Sequence, residues 1–401
     1  MLGWQPQTKI CSSKDKSNPL SLLVSRQRAW VEVDLKALAH NVRTLKSFIS
    51  PQTQLMAVVK ADAYGHGAIT VAQTALEHGA DCLAIATLAE GVELRQAGIS
   101  VDVPILILGA INAPEDIKAI AAWQLEPTIC DFQQALVFSE TMREIGESLP
   151  VHLKLDTGMS RLGTNWEEAT TFVQLVKQLS NLHLKSIYSH FATADESEPT
   201  VMNLQHQRFG HAIAQLKSAG IAIPCLHLAN SAATLRDRSC HYDLVRVGLA
   251  LYGLYPSPHL TTAIELKPVL QVKAKITQVK TISRGEGISY GHKFIANQDT
   301  KIAVVGIGYA DGVPRNLSNR LQGIVRGQLV SQVGTITMDQ LMLDVNTIPN
   351  LQPGEIVTLI GQDQDSTITA EEWANSLDTI AWEILCGFKH RLPRVNIRHL
   401  Q

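Results

Sequence analysis

The sequence has few cysteines, and none of them are paired at metal-ligand spacing. Its 401 residues include six cysteines, with no C-x-x-C pair and no His/Cys cluster. We therefore expect reduced thiols in a cytoplasmic protein, and we predict no bound metal. The six are Cys11, Cys82, Cys130, Cys225, Cys240 and Cys386.

Long apolar runs and an excess of charge are also missing. No run reaches the roughly 18 apolar residues that are needed to span a bilayer. The 35 Lys and Arg residues nearly balance the 37 Asp and Glu residues, which gives a net charge of −2. We therefore expect neither a membrane nor a nucleic acid as partner. Residues 1–27 are polar without the apolar core of a signal peptide, and we expect them to form a loose extension.

The composition is that of a folded protein. Hydrophobic residues make up 45% of the chain and charged residues 18%, which excludes intrinsic disorder. The length suggests roughly two to three domains. The first predicted helix follows Asp34, a suitable N-cap, and places Leu35, Leu38, Val42 and Leu45 on one face.

Eight short apolar runs alternate with amphipathic stretches over residues 28–266. Their number and spacing predict an α/β fold, a (β/α)8 TIM-type barrel. A doubly wound sheet would need fewer strands and a glycine fingerprint after its first strand, and the nearest approach, Gly306-Ile-Gly308, comes too late. The predicted strands are Leu55–Val59, Cys82–Ala86, Ile105–Leu108, Pro127–Cys130, Val151–Leu155, His183–Tyr188, Pro224–Leu228 and Leu244–Val247.

A second domain, mostly β, is predicted over residues 267–401. Leu270, Val272, Ala274 and Ile276 alternate with polar residues, as in a half-buried strand. Further β-rich runs are separated by glycine and proline turns, and one helix is predicted near Ala370–Leu377. The β-rich runs are Lys301–Gly306, Gly323–Val333, Leu341–Val345 and Glu355–Ile360.

The strongest chemical signal is Lys60, which ends an apolar strand in the string AVVKADAYGHG (residues 57–67). Catalytic groups of barrels lie at the C-terminal ends of the strands. Desolvation there lowers the pKa of a lysine and makes its amine a usable nucleophile. Such a lysine suits a Schiff base with an aldehyde cofactor.

The string resembles the cofactor-lysine motif of bacterial alanine racemases, in which a barrel is followed by a β domain. The resemblance continues, in family order, from about Arg28 to the C-terminus. The other motifs are LDTGMSRLG (155–163), SHFATAD (189–195), HLANSAA (227–233), VRVGLALYG (245–253), ISYGHKF (288–294), GIGYADGVPR (306–315) and TMDQ (337–340).

The resemblance implies pyridoxal 5'-phosphate as cofactor, joined to Lys60. His227 would face the cofactor ring and Arg246 its pyridine nitrogen. From the residues alone, a core histidine is the favoured interpretation of His227, while Arg246 could equally be half of a buried ion pair. The groups implied around the phosphate are Tyr64, Ser231, the backbone amides of Gly248 and Leu249, and a C-terminal aromatic. That aromatic is Trp382, at a position where many family members carry tyrosine.

The resemblance also implies two catalytic bases. Lys60 would abstract the proton from D-alanine, and Tyr290 would abstract it from L-alanine on the opposite face. A phenol has an ordinary pKa near 10, so it needs positive charge nearby, which Arg161 and a His190–Arg246 pair would supply. Without the resemblance, Tyr290 reads as a packing residue.

The remaining implied roles concern the substrate and its surroundings. Arg161 and the Met338 backbone would contact the substrate carboxylate, while Tyr309 would narrow the entrance. Asp339 in TMDQ matches the family motif. Two neighbouring positions differ from it: Thr335 stands where an arginine is common in the family, and Thr337 stands where a serine or cysteine is common. Lys154 is either a carbamate that orients Arg161 or an ordinary lysine paired with Asp156.

As a whole, the resemblance implies an isomerase that interconverts L- and D-alanine and supplies D-alanine for peptidoglycan. It implies a homodimer in which Tyr290, Tyr309 and Met338 of one subunit complete the site around Lys60 of the other. The alternatives are a racemase of another small amino acid such as serine, a decarboxylase of basic amino acids and a cofactor carrier. A decarboxylase would need a cysteine motif where this chain has Tyr290, and a carrier would not need the β domain.

Overall fold

The structure, a computed structural model, describes residues 28–397. The predicted N-terminal extension, residues 1–27, lies outside the described residues. The strands are β1 (Ala29–Asp34), β2 (Gln54–Val58), β3 (Cys82–Ile85), β4 (Ile105–Ala110), β5 (Glu126–Ile129), β6 (Leu149–Asp156), β7 (Thr164–Asn165), β8 (Leu182–Tyr188), β9 (Leu226–His227), β10 (Leu244–Val247), β11 (Leu270–Ile282), β12 (Thr300–Val305), β13 (Gln322–Val325), β14 (Gln328–Ser331), β15 (Leu341–Asp344), β16 (Ile356–Asp363), β17 (Ser366–Ile368) and β18 (Arg394–Ile397).

Helices follow the barrel strands and two more lie near the C-terminus. They are α1 (Leu35–Phe48), α2 (Lys60–Gly65), α3 (Ala68–Glu77), α4 (Leu88–Gln96), α5 (Pro114–Ala122), α6 (Phe132–Ile145), α7 (Ala169–Lys177), α8 (Thr200–Ser218), α9 (Ser231–Arg236), α10 (Ala370–Leu377) and α11 (Ala381–Gly387). Within residues 28–397, no helix combines the length and the apolar character needed to cross a membrane.

The predicted barrel is confirmed. Parallel pairing runs in the order β2-β3-β4-β5-β6-β8-β9, and β10 pairs with β2. Backbone hydrogen bonds from Asp243 to Leu226 and from Arg246 to Ala229, both 3.0 Å, join the last two strands. The eight predicted runs are these eight strands, and the mouth at their C-terminal ends is where loops and helix starts meet.

Helix α1 forms for the reason that the sequence indicates. The Asp34 carboxylate accepts hydrogen bonds from the amides of Lys36 and Ala37, which satisfies two of the unpaired N–H groups at the helix start. Leu38, Val42 and Leu45 are fully buried, so the predicted apolar face packs on the core.

The second domain is mostly β, as predicted. Its main sheet has the order β14-β13-β16-β11-β1-β18, with β12 on β11, β15 on β12 and β17 on β16. In β11, Leu270, Val272, Ala274 and Ile276 are all buried and alternate with partly exposed neighbours. Strand β1 lies in this sheet, between β11 and β18. Residues 29–34 therefore belong to the second domain's sheet, although they fall within residues 28–266, for which a barrel is predicted.

Candidate active site

Lys60 lies two residues beyond the end of β2, at the mouth of the barrel. Burial lowers the pKa of its ammonium group, and the positive charge of Arg161 lowers the pKa further. Glu90 and Cys386 oppose this effect without reversing it. A lysine amine with a lowered pKa is unprotonated more of the time and is a better nucleophile.

The backbone after Lys60 forms a left-handed turn. Four consecutive non-glycine residues, 61–64, have φ between 52° and 54°. L-residues pay roughly 1–2 kcal/mol each for this conformation, so surrounding contacts must hold it. Nothing in the local sequence indicates such a turn, because none of the four is glycine or asparagine.

Side chains from three separate elements hold the turn. The Glu90 carboxylate accepts a hydrogen bond from the Ala61 amide at 2.6 Å while also capping α4. Asp62 accepts from the Ala68 amide at 2.8 Å, and Arg394 donates to the Gly65 carbonyl at 2.9 Å. These contacts fix the backbone between Lys60 and Tyr64.

Helix α11 packs directly against this turn. A β-carbon at Gly65, whose φ is +80°, would lie 2.5 Å from the Leu385 carbonyl oxygen, so the two backbones can approach only at glycine. Trp382 is partly buried on α11. Cys386, on the same helix, is close enough to Lys60 for each to alter the other's pKa.

Tyr64, Ser231 and Gly248 meet at one place. The Ser231 hydroxyl, at the start of α9, accepts from the Gly248 amide at 3.0 Å. A β-carbon at Gly248 would lie 2.5 Å from the Tyr64 hydroxyl oxygen. Leu249 begins the short helical turn that follows. Burial raises the pKa of Tyr64, so its hydroxyl stays protonated and can donate to an anion.

Arg246 is buried on β10 without a carboxylate partner among residues 28–397. It donates from Nη1 to Nδ1 of His227 at 2.9 Å, and from Nη2 to the Ser189 carbonyl at 2.7 Å and to Nδ1 of His190 at 3.2 Å. Burial lowers its pKa to about 10, which leaves it charged at neutral pH. The ion-pair interpretation is therefore wrong for the described chain, since neutral acceptors surround the guanidinium.

His227 is a buried histidine whose two nitrogens are both engaged. Its ring stacks on Tyr188 with centroids 4.7 Å apart. Nδ1 accepts from Arg246, and Nε2 lies 2.7 Å from the Ser186 hydroxyl. Burial and then the charge of Arg246 hold the pKa of His227 well below its ordinary value, so the ring is neutral.

Positive charge is concentrated beside these groups. Burial lowers the pKa of Lys154 to about 8, with further contributions from Arg246 and Arg161. His190 has a pKa well below its ordinary value because of burial and then the charges of Arg246, Lys154, Arg161 and Lys60. Lys154 makes no salt bridge with Asp156 in the described chain; its Nζ lies 5.6 Å above the Tyr188 ring. The predicted ordinary lysine pair is therefore absent there.

The loop that carries Arg161 is organised by Asp156, the last residue of β6. Its carboxylate accepts from the amides of Gly158 and Ser160 at 2.9 and 3.1 Å. Arg161 is itself exposed. Its positive charge is close enough to Lys60 and Lys154 to lower the pKa of both.

Tyr290, Tyr309 and Met338 lie on the surface of the second domain. Their exposed fractions are 72%, 42% and 52%. The loops that carry them are joined to each other: the Thr335 hydroxyl donates to the Tyr290 carbonyl, and the Tyr309 amide donates to the Thr337 carbonyl at 3.0 Å. No hydrogen bond in the described chain joins Tyr290 or Tyr309 to Lys60.

Asp339 helps to fix this surface. Its carboxylate pairs with Arg391, and its carbonyl accepts from Arg28 at 3.1 Å. Arg28 and Arg391 both reach the buried Asp311 carboxylate as well. The supporting role predicted for Asp339 therefore has a physical basis in ion pairs beside Met338.

The residues at the mouth fit pyridoxal phosphate. The Tyr64 and Ser231 hydroxyls converge beside Gly248, where any side chain would fill the space, and hydroxyl donors suit a phosphate. The hydrogen bonds described for Arg246 leave from Nη1 and Nη2, so its Nε–H is free for another acceptor. Lys60 supplies an amine with a lowered pKa.

Comparisons with known proteins agree with this geometry. The alanine racemase N-terminal domain matches residues 33–256, and the alanine racemase C-terminal domain matches residues 269–396. An alanine racemase of Nostoc sp. is 64% identical over 373 residues, which cover 92% of this chain and 96% of that protein.

Two solved structures are similar in fold as well as in sequence. Alanine racemase from Bacillus anthracis, with bound L-Ala-P, has a TM-score of 0.87 at 37% identity and covers 93% of this chain and 95% of its own. Alanine racemase from Bartonella henselae, with covalently bound pyridoxal phosphate, has a TM-score of 0.83 at 29% identity over 92% of this chain and 99% of its own. Both domains of this protein, and the order in which they occur, are accounted for by these matches, and the chain belongs to the alanine racemase family.

Proposed function

We propose that the protein is a cytoplasmic isomerase that interconverts L- and D-alanine with pyridoxal 5'-phosphate. The observation that carries the proposal is the placement of Lys60, with its lowered pKa, at the same barrel mouth as the Tyr64–Gly248 cradle and Arg246. Membership of the alanine racemase family supports the reaction, and the covalent cofactor of the Bartonella relative supports the cofactor. The D-alanine formed would enter peptidoglycan.

The cofactor, when bound, makes the α-proton of an amino acid acidic. In this chain Lys60 would hold it, and the Tyr64 and Ser231 hydroxyls, with the amides of Gly248 and Leu249, would hold its phosphate. Trp382 on α11 would offer an indole N–H, which can donate to the phosphate but cannot accept. Arg246 offers groups that only donate, so it would favour an unprotonated ring nitrogen.

Proton transfer needs one base on each face of the substrate α-carbon. The Lys60 amine takes the proton of D-alanine, and the Tyr290 phenolate takes the proton of L-alanine. The positive charges of Arg161 and Arg246, the latter through His190, favour the phenolate. Arg161 and the Met338 amide bind the substrate carboxylate, while Tyr309 restricts the side chain to a small one.

Tyr290 reaches the site in a homodimer. Tyr290, Tyr309 and Met338 are large side chains that are exposed together on one surface, which is typical of an interface. Two-fold symmetry would place this surface of each subunit over the barrel mouth of the other and so complete two equivalent sites.

Lys154 carries a carbamate in this proposal. Its pKa of about 8 leaves a substantial fraction of neutral amine near neutral pH. The amine nitrogen bonds to the carbon of CO2 and releases one proton, which leaves a carboxylate on the side chain. That negative charge would be balanced by Arg161 and Arg246 and would orient Arg161 towards the substrate.

The function is tested by measuring racemisation of each L-amino acid by the cofactor-loaded protein. We expect L- and D-alanine to be interconverted to a one-to-one mixture. Serine should react more slowly by about tenfold or more, because a small pocket discriminates against a larger side chain by a few kcal/mol. Borohydride should trap the cofactor on Lys60, as seen by peptide mass. A faster rate with serine or another amino acid would overturn the choice of alanine.

A further inference from the structure

A chain of buried hydrogen bonds crosses the barrel interior from Arg246 to Glu126. Arg246 Nη1 lies 2.9 Å from Nδ1 of His227, and Nε2 of His227 lies 2.7 Å from the Ser186 hydroxyl. The same hydroxyl lies 2.6 Å from Nδ1 of His152, whose Nε2 lies 2.7 Å from a carboxylate oxygen of Glu126. All five residues are buried.

The two ends of the chain fix the direction of every hydrogen bond. Arg246 only donates, so Nδ1 of His227 accepts and its proton lies on Nε2. The Ser186 hydroxyl oxygen accepts a hydrogen bond from Nε2–H of His227, and the Ser186 hydroxyl donates its own proton to Nδ1 of His152. His152 then carries its proton on Nε2 and donates to Glu126. We assign these tautomers because each hydrogen bond between Arg246 and Glu126 then has one donor and one acceptor.

Glu126 lies at the opposite end of the barrel from Lys60. It is the first residue of β5, whereas Lys60 follows the last residue of β2, and the strands are parallel. Burial raises the pKa of Glu126, but the hydrogen bond from His152 and nearby positive charges outweigh burial and lower it overall. The carboxylate is therefore ionised and acts only as an acceptor.

We infer that Glu126 is a positioning residue for Arg246. By accepting from His152 it holds both histidines with their protons on Nε2, and the lone pair on Nδ1 of His227 then holds the guanidinium in place. Without an acceptor at residue 126, His152 moves its proton to Nδ1, and the Ser186 hydroxyl reverses. The proton of His227 then moves to Nδ1, where it faces the Arg246 donors and displaces them.

The inference rests on the proposed function only in that Arg246 faces the cofactor ring.

Two substitutions distinguish the effect of the hydrogen-bond acceptor at residue 126 from the effect of its negative charge. Glu126→Gln retains an oxygen that can accept from His152, while Glu126→Leu retains a similar volume with no acceptor. Gln134→Met is the matched control, because Gln134 is also buried near β5 and makes hydrogen bonds with Cys130 and Ile111, outside the chain.

The first readout is nuclear magnetic resonance of 15N-histidine in the protein freed of cofactor, which does not depend on any activity. We expect His152 and His227 to carry their protons on Nε2 in the wild type and in Glu126→Gln. In Glu126→Leu the His152 proton should move to Nδ1. If both histidines keep the Nε2 proton in the leucine variant, Glu126 does not set the tautomers and the inference is overturned.

The second readout is the absorption spectrum and dissociation constant of added pyridoxal phosphate. Glu126→Leu should change the spectrum and weaken binding by about tenfold, a typical effect of one unpaired buried donor. Glu126→Gln and Gln134→Met should retain the wild-type spectrum. If the leucine and Gln134 variants lose affinity equally without a spectral change, the effect is only structural. If the tautomers shift but no alanine is racemised, the hydrogen-bond chain stands and the proposed function fails.

Discussion

The Tyr64 hydroxyl occupies the space in front of Gly248 that a side chain would take. An ideal β-carbon at Gly248 would lie 2.5 Å from that hydroxyl oxygen, which is well inside van der Waals contact. The left-handed turn at 61–64 delivers Tyr64 to this place, and Lys60 begins the same turn. One short segment thus positions both Lys60, the proposed covalent anchor, and Tyr64, part of the proposed phosphate site.

We predict that Gly248→Ala weakens cofactor binding by about tenfold or more, because the new methyl group displaces the Tyr64 hydroxyl and removes a donor to the phosphate. The matched control is Gly210→Ala on α8, where a β-carbon meets nothing within 4 Å. That variant should bind normally and gain about 0.5–1 kcal/mol of stability. Titration of the cofactor-free proteins with pyridoxal phosphate measures the dissociation constant of each variant. Equal constants for the two variants would contradict a phosphate site beside Gly248.

Lys60→Ala should lose the absorbance of the protein-bound cofactor, because no amine remains at the barrel mouth to form the imine. The cofactor would then be removed by gel filtration. Lys118→Ala is a suitable control, since Lys118 is exposed on α5. A borohydride-stable adduct in the Lys60 variant would show that another residue holds the cofactor.

Tyr290→Phe should keep the cofactor absorbance but lose most of the activity, by about two orders of magnitude or more, because one face loses its base. Exchange of the α-proton with deuterated water should fall more for L-alanine than for D-alanine. Exchange rates that fall equally for the two enantiomers would argue against separate bases on the two faces.

The carbamate on Lys154 should become more abundant as pH rises through about 8, the pKa of its amine. Below that pH most of the amine is ammonium, which has no lone pair to add to CO2, and above it most of the amine is neutral and can react. With 13C-bicarbonate, the wild type should show a carbamate signal that grows with pH and is absent from Lys154→Ala. An identical signal in the alanine variant would assign the modification to a different group.

The barrel was predictable from the sequence and the motif around Lys60 marked that residue as a candidate, but the buried polar chain was not predictable. Apolar strands and the Lys60 motif are local patterns, so the eight barrel strands could be identified before the fold was seen. Strand β1 pairs with β11, about 240 residues away, and no local sequence pattern predicts a pairing between strands so far apart in the chain. Glu126, His152 and Ser186 lie in three barrel strands that each contain other polar residues as well, so no local sequence pattern singles these three residues out.

The central claim is that each active site combines Lys60 of one subunit with Tyr290 of the other. It is tested most directly by mixing inactive Lys60→Ala and Tyr290→Phe chains, re-equilibrating the subunits and measuring alanine racemisation. In a mixed dimer one site carries both substitutions and the other carries neither. Random pairing makes about half of the dimers mixed, so we predict that about a quarter of all sites recover wild-type activity. If subunits exchange and no activity returns, each chain holds both bases in its own site, and the claim is contradicted.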